Sequence, residues 1–446
     1  MNTCSLAAWG RSAKAFALRL VAIALMLGAT PPAFAQRANG PYSGLFGGQD
    51  TANQSQGLNL NLALFGAYDQ NSFPPSAASD LVDPRLRESG ASGGASGSLL
   101  YSLKGDRGRF TWGGGGSGQE YVASPGAVVA YNTGTSLDLI LRPTLTLNAR
   151  AAAAYSPFFQ FSPFQDGGGA ITGPALSGFG FAAVAERNVI ANESIGLTSN
   201  FSARSSVFAS IDRYDARLLD SSENDVSSWG GRVGVQHHLT RALGLHLIYS
   251  EEQVTFAAPG TPGYLNSSID AGVDYGDTLT FARRTSIAFG TSTSAVRYSG
   301  QTFYRLNGNA RLSRGFARSW SAYVGYNRDT QFLLGFRQPL LTDSATTGVG
   351  GQLSLRTRWS AAGSYTRGSI GFDGSDFTTY SASSRLDVAL TRSLGLYGQY
   401  AYYRYQIPAG SSDIDILSRL SRQTGTVGLS VWVPIINDTK RPDGSK

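Results

Sequence analysis

The chain has 446 residues, of which 41% are apolar and 15% charged, with a formal net charge of +7 and one cysteine. Its 55 glycines make up about 12% of the residues, against a usual share of about 7%. Low charge with 11% aromatic residues excludes a disordered polyelectrolyte, and one cysteine excludes an intrachain disulfide scaffold. The length suits several soluble domains or one large barrel.

Residues 1–35 have the pattern of a secretory signal peptide. Basic residues precede a short apolar stretch and a cleavage motif of small residues: Arg11, Lys14, Arg19, then 20–28, then Ala33-Phe34-Ala35. The apolar stretch is too short to span a bilayer, although an N-terminal membrane anchor is the alternative. Cleavage after Ala35 removes the only cysteine, Cys4, and lowers the net charge to +4. That charge is too small to indicate nucleic-acid binding.

Apolar and polar residues alternate along most of the remaining chain. The stretch 58–65 alternates leucine with Asn59, Asn61, Ala63 and Phe65, and 427–433 alternates valine and leucine with polar residues and Trp432. Such runs have one apolar and one polar face, which is typical of half-buried β-strands. No later stretch contains 18 consecutive apolar residues, so no transmembrane helix is predicted.

Short turns alternate with longer connections between these runs. Leu-Thr-Arg-x-Leu-Gly-Leu occurs at 239–245 and 390–396. Looser short turns stand at 104–108, 141–145, 202–205, 282–285, 312–315 and 356–359. The longer connections, rich in Gly, Pro, Ser and Asp, are at 70–92, 159–190, 257–273, 329–345 and 408–422. Eight turns join sixteen strands, and strands near 58–68 and 423–433 bring the expected number to about eighteen.

The pattern predicts an all-β fold: a transmembrane antiparallel β-barrel of about 18 strands (16–18), with long extracellular loops and short periplasmic turns. A soluble β-sandwich is the alternative. A closed sheet of eighteen strands is too wide for side chains to fill, so its interior is wet and its apolar face meets lipid. The expected divisions are a signal peptide over 1–35, a short periplasmic segment over 36–57, the barrel over 58–433 and a polar tail over 434–446.

The repeated hairpins and the tyrosine-rich strand Tyr397–Tyr405 resemble those of Gram-negative outer-membrane β-barrel proteins. More narrowly, they resemble porin-like barrels associated with exopolysaccharide systems. The resemblance implies the outer membrane after signal cleavage, with membrane lipid, the barrel-assembly machinery and polysaccharide or periplasmic export proteins as partners. Stretch 427–433 is similar to the C-terminal signal that the assembly machinery reads, but residues 434–446 follow where the family ends on an aromatic residue.

Several polar-face residues are expected to line the lumen. They are Arg150, Arg232, Arg305, Asn307, Asn309, Arg311, Arg356, Arg385, Asp387, Tyr397, Tyr403 and Tyr405. An excess of arginine predicts a basic pore that favours anionic solutes, unless the arginines pair with acids across strands. The tyrosines suggest either a surface on which sugars stack or a packed aromatic wall.

The connection 157–187 is long and rich in Gly, Phe and Pro. Connections of this length are usually functional or disordered. Its aromatic residues predict a constriction loop carried by Phe158, Phe159, Phe161 and Phe164, and an exposed surface loop is the alternative.

These features predict an outer-membrane porin-like barrel that gives passive passage to polar, anionic solutes, with exopolysaccharide export as the specific hypothesis. The alternative is a structural or adhesive barrel with a closed lumen and loops that bind external partners. No enzyme, cofactor or metal site is predicted. The chain has only three histidines, His237, His238 and His246, and the sequence indicates no acidic partner for them.

Overall fold

The computed structural model describes residues 54–72, 89–122, 126–160, 182–184, 186–240, 243–275, 285–316, 319–372, 375–408 and 419–439. The predicted signal peptide, and the segment from 36 to 53, lie outside the described residues. In the part of the chain that is described, no helix is long and apolar enough to cross a membrane.

The described residues form one large sheet and one short hairpin. The strands are β1 Gln54–Ser72, β2 Gly90–Lys104, β3 Gly108–Tyr121, β4 Ala127–Arg142, β5 Leu145–Ser156, β6 Phe159–Gln160, β7 Ala182–Val184, β8 Asn188–Asn200, β9 Ser205–Leu218, β10 Val226–His238, β11 Leu243–Phe256, β12 Tyr264–Tyr275, β13 Thr285–Tyr298, β14 Gln301–Gly315, β15 Ser321–Gln331, β16 Leu340–Ser354, β17 Thr357–Ile370, β18 Ser375–Ala389, β19 Leu394–Gln406 and β20 Arg419–Thr439, with a 3₁₀ turn at Ser222–Asn224. β6 and β7 pair only with each other.

The large sheet is a closed antiparallel barrel of 18 strands. Each barrel strand pairs with the next one along the chain, with β5 pairing to β8, and β1 pairs with β20 to close the ring. The predicted fold class is confirmed, and a two-sheet sandwich is excluded because the sheet closes on itself. The alternating pattern agrees with the result, since each strand has one apolar and one polar face, and a closed ring turns all apolar faces to one side and all polar faces to the other.

Short turns join the strands at the end of the barrel where β1 begins and β20 ends, here called the short-turn end. They include 105–107, 143–144, 201–204, 355–356 and 390–393, and the strand ends place two more after His238 and after Gly315, close to the turns that the sequence predicts. The remaining turn, between β12 and β13, lies outside the described residues.

The opposite end, here called the loop end, differs in part from the sequence prediction. The connection predicted over 257–273 shrinks to 257–263, and the one over 329–345 shrinks to 332–339. Two further connections are short: Ser299-Gly300, with φ of 48° and 80°, and 371–374. Strands that border a water-filled lumen are rich in polar residues and glycine. Because these residue types are also typical of loops, the sequence pattern predicts loops where these strand ends lie.

The first and last strands are longer than the sequence predicts. β1 begins at Gln54, and β20 continues past Val433 to Thr439, where it pairs with Gln54. A bulge accommodates Pro434, because Asn59 faces Pro434 while the neighbouring Leu58 faces Ile436. Residues 434–439 therefore belong to the barrel wall and not to the predicted polar tail.

The two faces of the sheet differ in chemistry. The outer face carries exposed apolar side chains on strands around the ring, including Ile195, Leu247, Ile269, Val324 and Val427, the last 62% exposed. The inner face of β1 and β20 carries Asn59, Asp69, Thr424 and Thr426, all buried. The structure thus sets a polar interior inside an apolar exterior.

Candidate functional site

The lumen wall contains two paired arginines. Arg232 of β10 donates from Nε and Nη2 to the Asp212 carboxylate of β9, at 2.9–3.1 Å. Arg385 of β18 donates from Nε and Nη2 to Oδ1 of Asp387, at 2.9 and 2.8 Å. These two arginines are therefore paired with acids, as the alternative to an anion-attracting pore requires.

The other predicted lumen arginines have different surroundings. Arg150 is exposed on β5, and Arg311 of β14 lies over the Tyr323 ring at 4.8 Å. Neither makes an ion pair with a carboxylate in the described part of the chain. Arg305 donates from Nη2 to the Thr342 carbonyl at 3.2 Å. Arg356 is misplaced by the prediction, because it lies in the exposed two-residue turn between β16 and β17 and not in the wall.

The two predicted asparagines lie near each other on β14. Asn307 is buried, and its Nδ2 donates to Ser294 Oγ of β13 at 3.0 Å. Asn309 is exposed and faces Gly290 of β13. Their amides provide hydrogen-bonding groups along one strand.

An arginine, a tyrosine and a glycine stack in the same order at two places in the wall. Arg311, Tyr323 and Gly348 follow one another on β14, β15 and β16, and a Cβ on Gly348 would lie 2.4 Å from Tyr323 Cε1. The second stack has Arg385 at 4.3 Å over the Tyr397 ring, which covers Gly428. Glycine is needed at both places because any side chain would displace the ring.

A recess of about 290 Å³ opens between these stacks. Small residues of β16, β17 and β18 form its floor, and Tyr323, Arg385 and Gln399 stand at its sides. Gln399 Oε1 accepts from Arg385 Nη1 at 3.4 Å. The recess therefore combines a floor of small residues with aromatic, amide and guanidinium groups.

Tyr403 and Tyr405 do not present a surface to the lumen. Both are fully buried in an apolar cluster at the loop end, where they pack with Phe377, Ile407 and Leu420. Apolar side chains inside a water-filled barrel pack against each other because this removes their surface from water. These two tyrosines therefore belong to a packed aromatic wall and not to a sugar-stacking surface.

Part of the predicted constriction loop joins the same cluster. Phe159 is buried in the cluster, and Phe158 is buried beside it, with its carbonyl accepting from Asn188 Nδ2 at 3.0 Å. Phe161 and Phe164 lie outside the described residues, so their part of the prediction is not addressed by the structure.

A second segment, the connection 332–339 between β15 and β16, crosses the mouth of the barrel. Its Leu334 and Phe336 are buried in the apolar cluster. Its Arg337 carbonyl accepts from Tyr264 of β12 at 3.0 Å, and Arg337 Nη2 donates to Asn224 Oδ1 at 3.3 Å. Because Asn224 lies beyond β9, these contacts carry the segment across the lumen. We call residues 332–339 the crossing loop.

The sequence pattern missed the crossing loop as a constriction. It marked 329–345 only as a long connection, although the apolar run Phe332-Leu333-Leu334 was a usable signal within a polar setting. Tyr323 was also missed, and its position on the polar face of a strand was the available signal.

The seam between the first and last strands contains a buried ion pair. Arg422 Nη2 of β20 donates to Asp69 Oδ2 of β1 at 3.1 Å, and the two side chains are 2% and 3% exposed. Thr424 Oγ1 donates to the other carboxylate oxygen, Oδ1. The pair fixes the strands that close the barrel.

The histidines have partners that the sequence did not indicate. His246 Nε2 lies 3.7 Å from Asp270 Oδ1, and His237 Nδ1 is 2.8 Å from Ser205 Oγ. His246 therefore has an acidic neighbour, contrary to the sequence prediction, because β11 and β12 pair side by side and bring Asp270 to it. No group of three metal-ligating side chains occurs among the residues that the structure describes.

One ion pair outside the barrel wall contains a carboxyl group with a shifted pKa. Arg187, just before β8, donates from Nε to Asp220 Oδ1 at 3.1 Å and from its backbone nitrogen to Oδ2 at 3.2 Å. The side-chain hydrogen bond from Arg187 lowers the pKa of Asp220 below its usual value. The pair links the segment before β8 to the connection between β9 and β10 at the loop end, and acid weakens it once Asp220 is protonated.

Comparisons with known proteins find only solved structures of low overall similarity to the chain. No family model matches it, and no curated protein is significantly similar. Acinetobacter baumannii OccAB4 has 10% identity over 86% of this chain and 100% of its own, with a TM-score of 0.42. Pseudomonas aeruginosa OpdL has 10% identity over 85% and 99%, at 0.43. The Pseudomonas aeruginosa siderophore receptor PirA has 10% identity over 84% and 80%, at 0.38. TM-scores this low carry no argument about function, which has to be inferred from the chain's own residues.

Proposed function

We propose that the protein is a porin-like channel of the outer membrane of a Gram-negative bacterium, through which small polar solutes pass passively. The observation that carries the proposal is a closed 18-strand barrel with a polar interior and an apolar exterior. Soluble proteins rarely expose apolar belts of this extent, whereas closed barrels satisfy their backbone hydrogen bonds in lipid. Wide barrels of this kind belong to the outer membrane.

The crossing loop and the apolar cluster support a preference for small solutes. They join the β9–β13 side of the mouth to the β16–β20 side through Leu334 and Phe336. A polymer needs a wide continuous lumen, so this arrangement favours small molecules that pass beside the loop.

Two lumen arginines without an acidic partner support a preference for anions. Arg232 and Arg385 are neutralised by their carboxylate partners, but Arg150 and Arg311 have no such partner among the described residues. A low-dielectric wall strengthens the field of such charges and raises the local anion concentration.

Exopolysaccharide export is a narrower proposal. Its support is the sequence resemblance of the hairpins and the recess with Tyr323, Arg385 and Gln399, whose ring, guanidinium and amide suit a sugar. Export of a chain through this lumen requires the crossing loop to move.

A closed structural barrel is the second candidate function. The crossing loop favours it, because its contacts with Tyr264 and Asn224 hold it across the mouth. In that case the loops, and not the lumen, would carry the activity.

Single-channel recording in planar bilayers tests these candidates. The porin proposal expects steady conductance steps from the refolded mature chain. Silence from a chain whose barrel is folded, with steps appearing only when residues 333–338 are replaced by Gly-Gly, would contradict it and support the closed barrel. A salt gradient in the same recording tests ion preference. We expect an anion-selective reversal potential that moves toward zero in Arg150→Gln/Arg311→Gln, but not in the charge-balanced control Arg232→Gln/Asp212→Asn.

A further inference from the structure

The barrel wall is incompletely paired at one place. β14 pairs with β13 over its whole length, up to Tyr298↔Gln301. Its pairing with β15 ends at Gly308↔Arg328, whereas β15 continues to pair with β16 as far as Gln331↔Leu340. β15 therefore leaves β14 at Asp329 and follows β16. We call the opening between 301–307 and 329–331 the β14–β15 wedge.

The exposure of the β14 side chains agrees with an open edge, whereas Thr330 on the β15 side is buried. Tyr304 is 78% exposed, more than any other large apolar side chain in the described part of the chain, and Leu306 is also exposed. Both point outward on the segment of β14 that has no β15 partner. Immediately below, Arg328 pairs with Asp343 at 3.2 Å, and Tyr326 OH donates to Asp343 Oδ1 at 2.7 Å. Charged and tyrosine side chains on the outer face are typical of the membrane interface, which sets the wedge at headgroup level.

The inner side of the wedge combines apolar side chains with one cation, Arg305, and one acid, Asp329. Phe303 stacks on Phe372 with ring centroids 3.8 Å apart. Leu340, at the end of the β15–β16 pairing, is fully buried in the apolar cluster. Arg305 reaches from β14 past β15 to the Thr342 carbonyl of β16. Its Nη1 is buried with no hydrogen-bond partner. No carboxylate among the described residues forms an ion pair with Arg305, but those of Asp343 and Asp329 lie near enough to act on its charge.

We propose that the wedge is a lateral passage between the lumen and the outer leaflet for a single-chain amphiphile with an anionic headgroup. Arg305 binds the headgroup through Nη1, and the hydrocarbon chain lies between Phe303 and Leu340 and leaves past Leu306. An unpaired guanidinium nitrogen next to apolar side chains complements a carboxylate or phosphate that carries an alkyl chain. This cargo goes beyond the polar solutes of the proposed function.

A polypeptide strand is a poorer occupant. The two strands are still hydrogen-bonded at Gly308↔Arg328, so the wedge tapers to nothing within a few residues. An added β-strand needs about 4.8 Å on each side over its length. An alkyl chain is narrow enough to fit this tapering space, whereas a β-strand is too wide.

Photocrosslinking of the full mature chain in lipid vesicles tests the passage. The probe is a diazirine-bearing fatty acid, with laurate and dodecanol as competitors of equal chain length. We expect adducts concentrated on Phe303, Leu306, Leu340 and Phe372, suppressed by laurate and little affected by dodecanol. Adducts spread evenly over the outer belt, or equal competition by both compounds, would overturn the proposal.

Two variants make the test specific. Leu306→Cys/Thr330→Cys is designed to close the wedge with a disulfide, and Leu312→Cys/Val324→Cys places the same bond at an outward pair that is already aligned. Cleavage after Ala35 removes Cys4, the only natural cysteine, so the mature chain contains no thiol besides the two introduced ones. We expect the first disulfide to abolish the adducts and the second to leave them.

Arg305→Gln covers the case in which the first disulfide does not form. Loss of a charge-assisted hydrogen bond predicts that laurate competes about tenfold less well, while dodecanol is unchanged. Unchanged laurate competition would overturn the assignment of Arg305. The ion conductance of the two disulfide variants is measured separately and tests the porin proposal. The lateral-passage proposal can therefore fail while the porin proposal holds.

Discussion

Single residues at the seam determine how firmly the barrel closes. Asp69 and Arg422 are almost fully buried and lie on the first and last strands, so each charge depends on the other for its solvation. A buried ion pair adds little over an apolar pair, but removing one partner leaves an uncompensated charge. The same chemistry at an exposed site is nearly neutral, because water screens it.

The seam pair predicts a measurable loss of stability. Asp69→Leu should lower the free energy of unfolding by about 3 kcal/mol, and Asp69→Leu/Arg422→Leu should recover much of it, because the double variant leaves no buried charge. Urea unfolding in vesicles, followed by tryptophan fluorescence, measures both. Asp376→Leu is the matched control: it breaks a pair with Arg367 whose side chains are both 65% exposed, and it should cost less than about 1 kcal/mol. Equal losses from Asp69→Leu and the double variant would contradict the argument.

Among the elements, the crossing loop decides what passes through the mouth. Strands supply a wide ring, and the loop divides it by packing Leu334 and Phe336 into the apolar cluster. The hydrogen bond from Tyr264 to the Arg337 carbonyl fixes the far side of the loop. The loop is therefore held both by apolar burial and by a polar contact.

Phe336→Ala tests how the loop is held. Phe336 is 2% exposed, so its truncation should destabilise the barrel by about 3 kcal/mol and loosen the loop. In planar bilayers we expect larger and noisier current steps. Phe201→Ala is the control, because Phe201 lies in a turn at the short-turn end and is 65% exposed. Identical currents from the two variants would argue that the loop does not limit passage.

For the whole molecule, closure depends on the length of the β1–β20 seam. This pairing runs from Gln54↔Thr439 to Ser72↔Ser421. It is the longest in the barrel, and it extends through residues that the sequence assigns to a tail. The ring has a free edge if this pairing fails, and a free edge in hydrocarbon is strongly unfavourable.

Two truncations distinguish the residues that belong to the barrel wall from those that form a tail. Removing 440–446 should leave the amount of folded barrel unchanged, whereas removing 434–446 should reduce it, because residues 434–439 pair with β1. The electrophoretic shift between heated and unheated barrel, measured on outer-membrane fractions, reports the folded amount. Full assembly of the shorter chain would show that the end of the seam is dispensable.

The amino-acid sequence by itself determined the architecture. Alternation with a period of two specifies strands with one apolar face, and repeats such as Leu239–Leu245 specify their tight turns. Together these local signals give the number of strands and the class of barrel, because each is decided within a few residues of the chain.

Only the tertiary structure decided how the lumen is arranged. Strand alternation places Arg232, Arg385 and Tyr403 on one face, but it does not say that Asp212 and Asp387 neutralise the arginines or that Tyr403 is buried. Those outcomes depend on register between strands and on where the crossing loop packs. They bring together residues far apart in the chain, as Arg337 and Asn224 are, and the period of a local pattern contains no information about such distances.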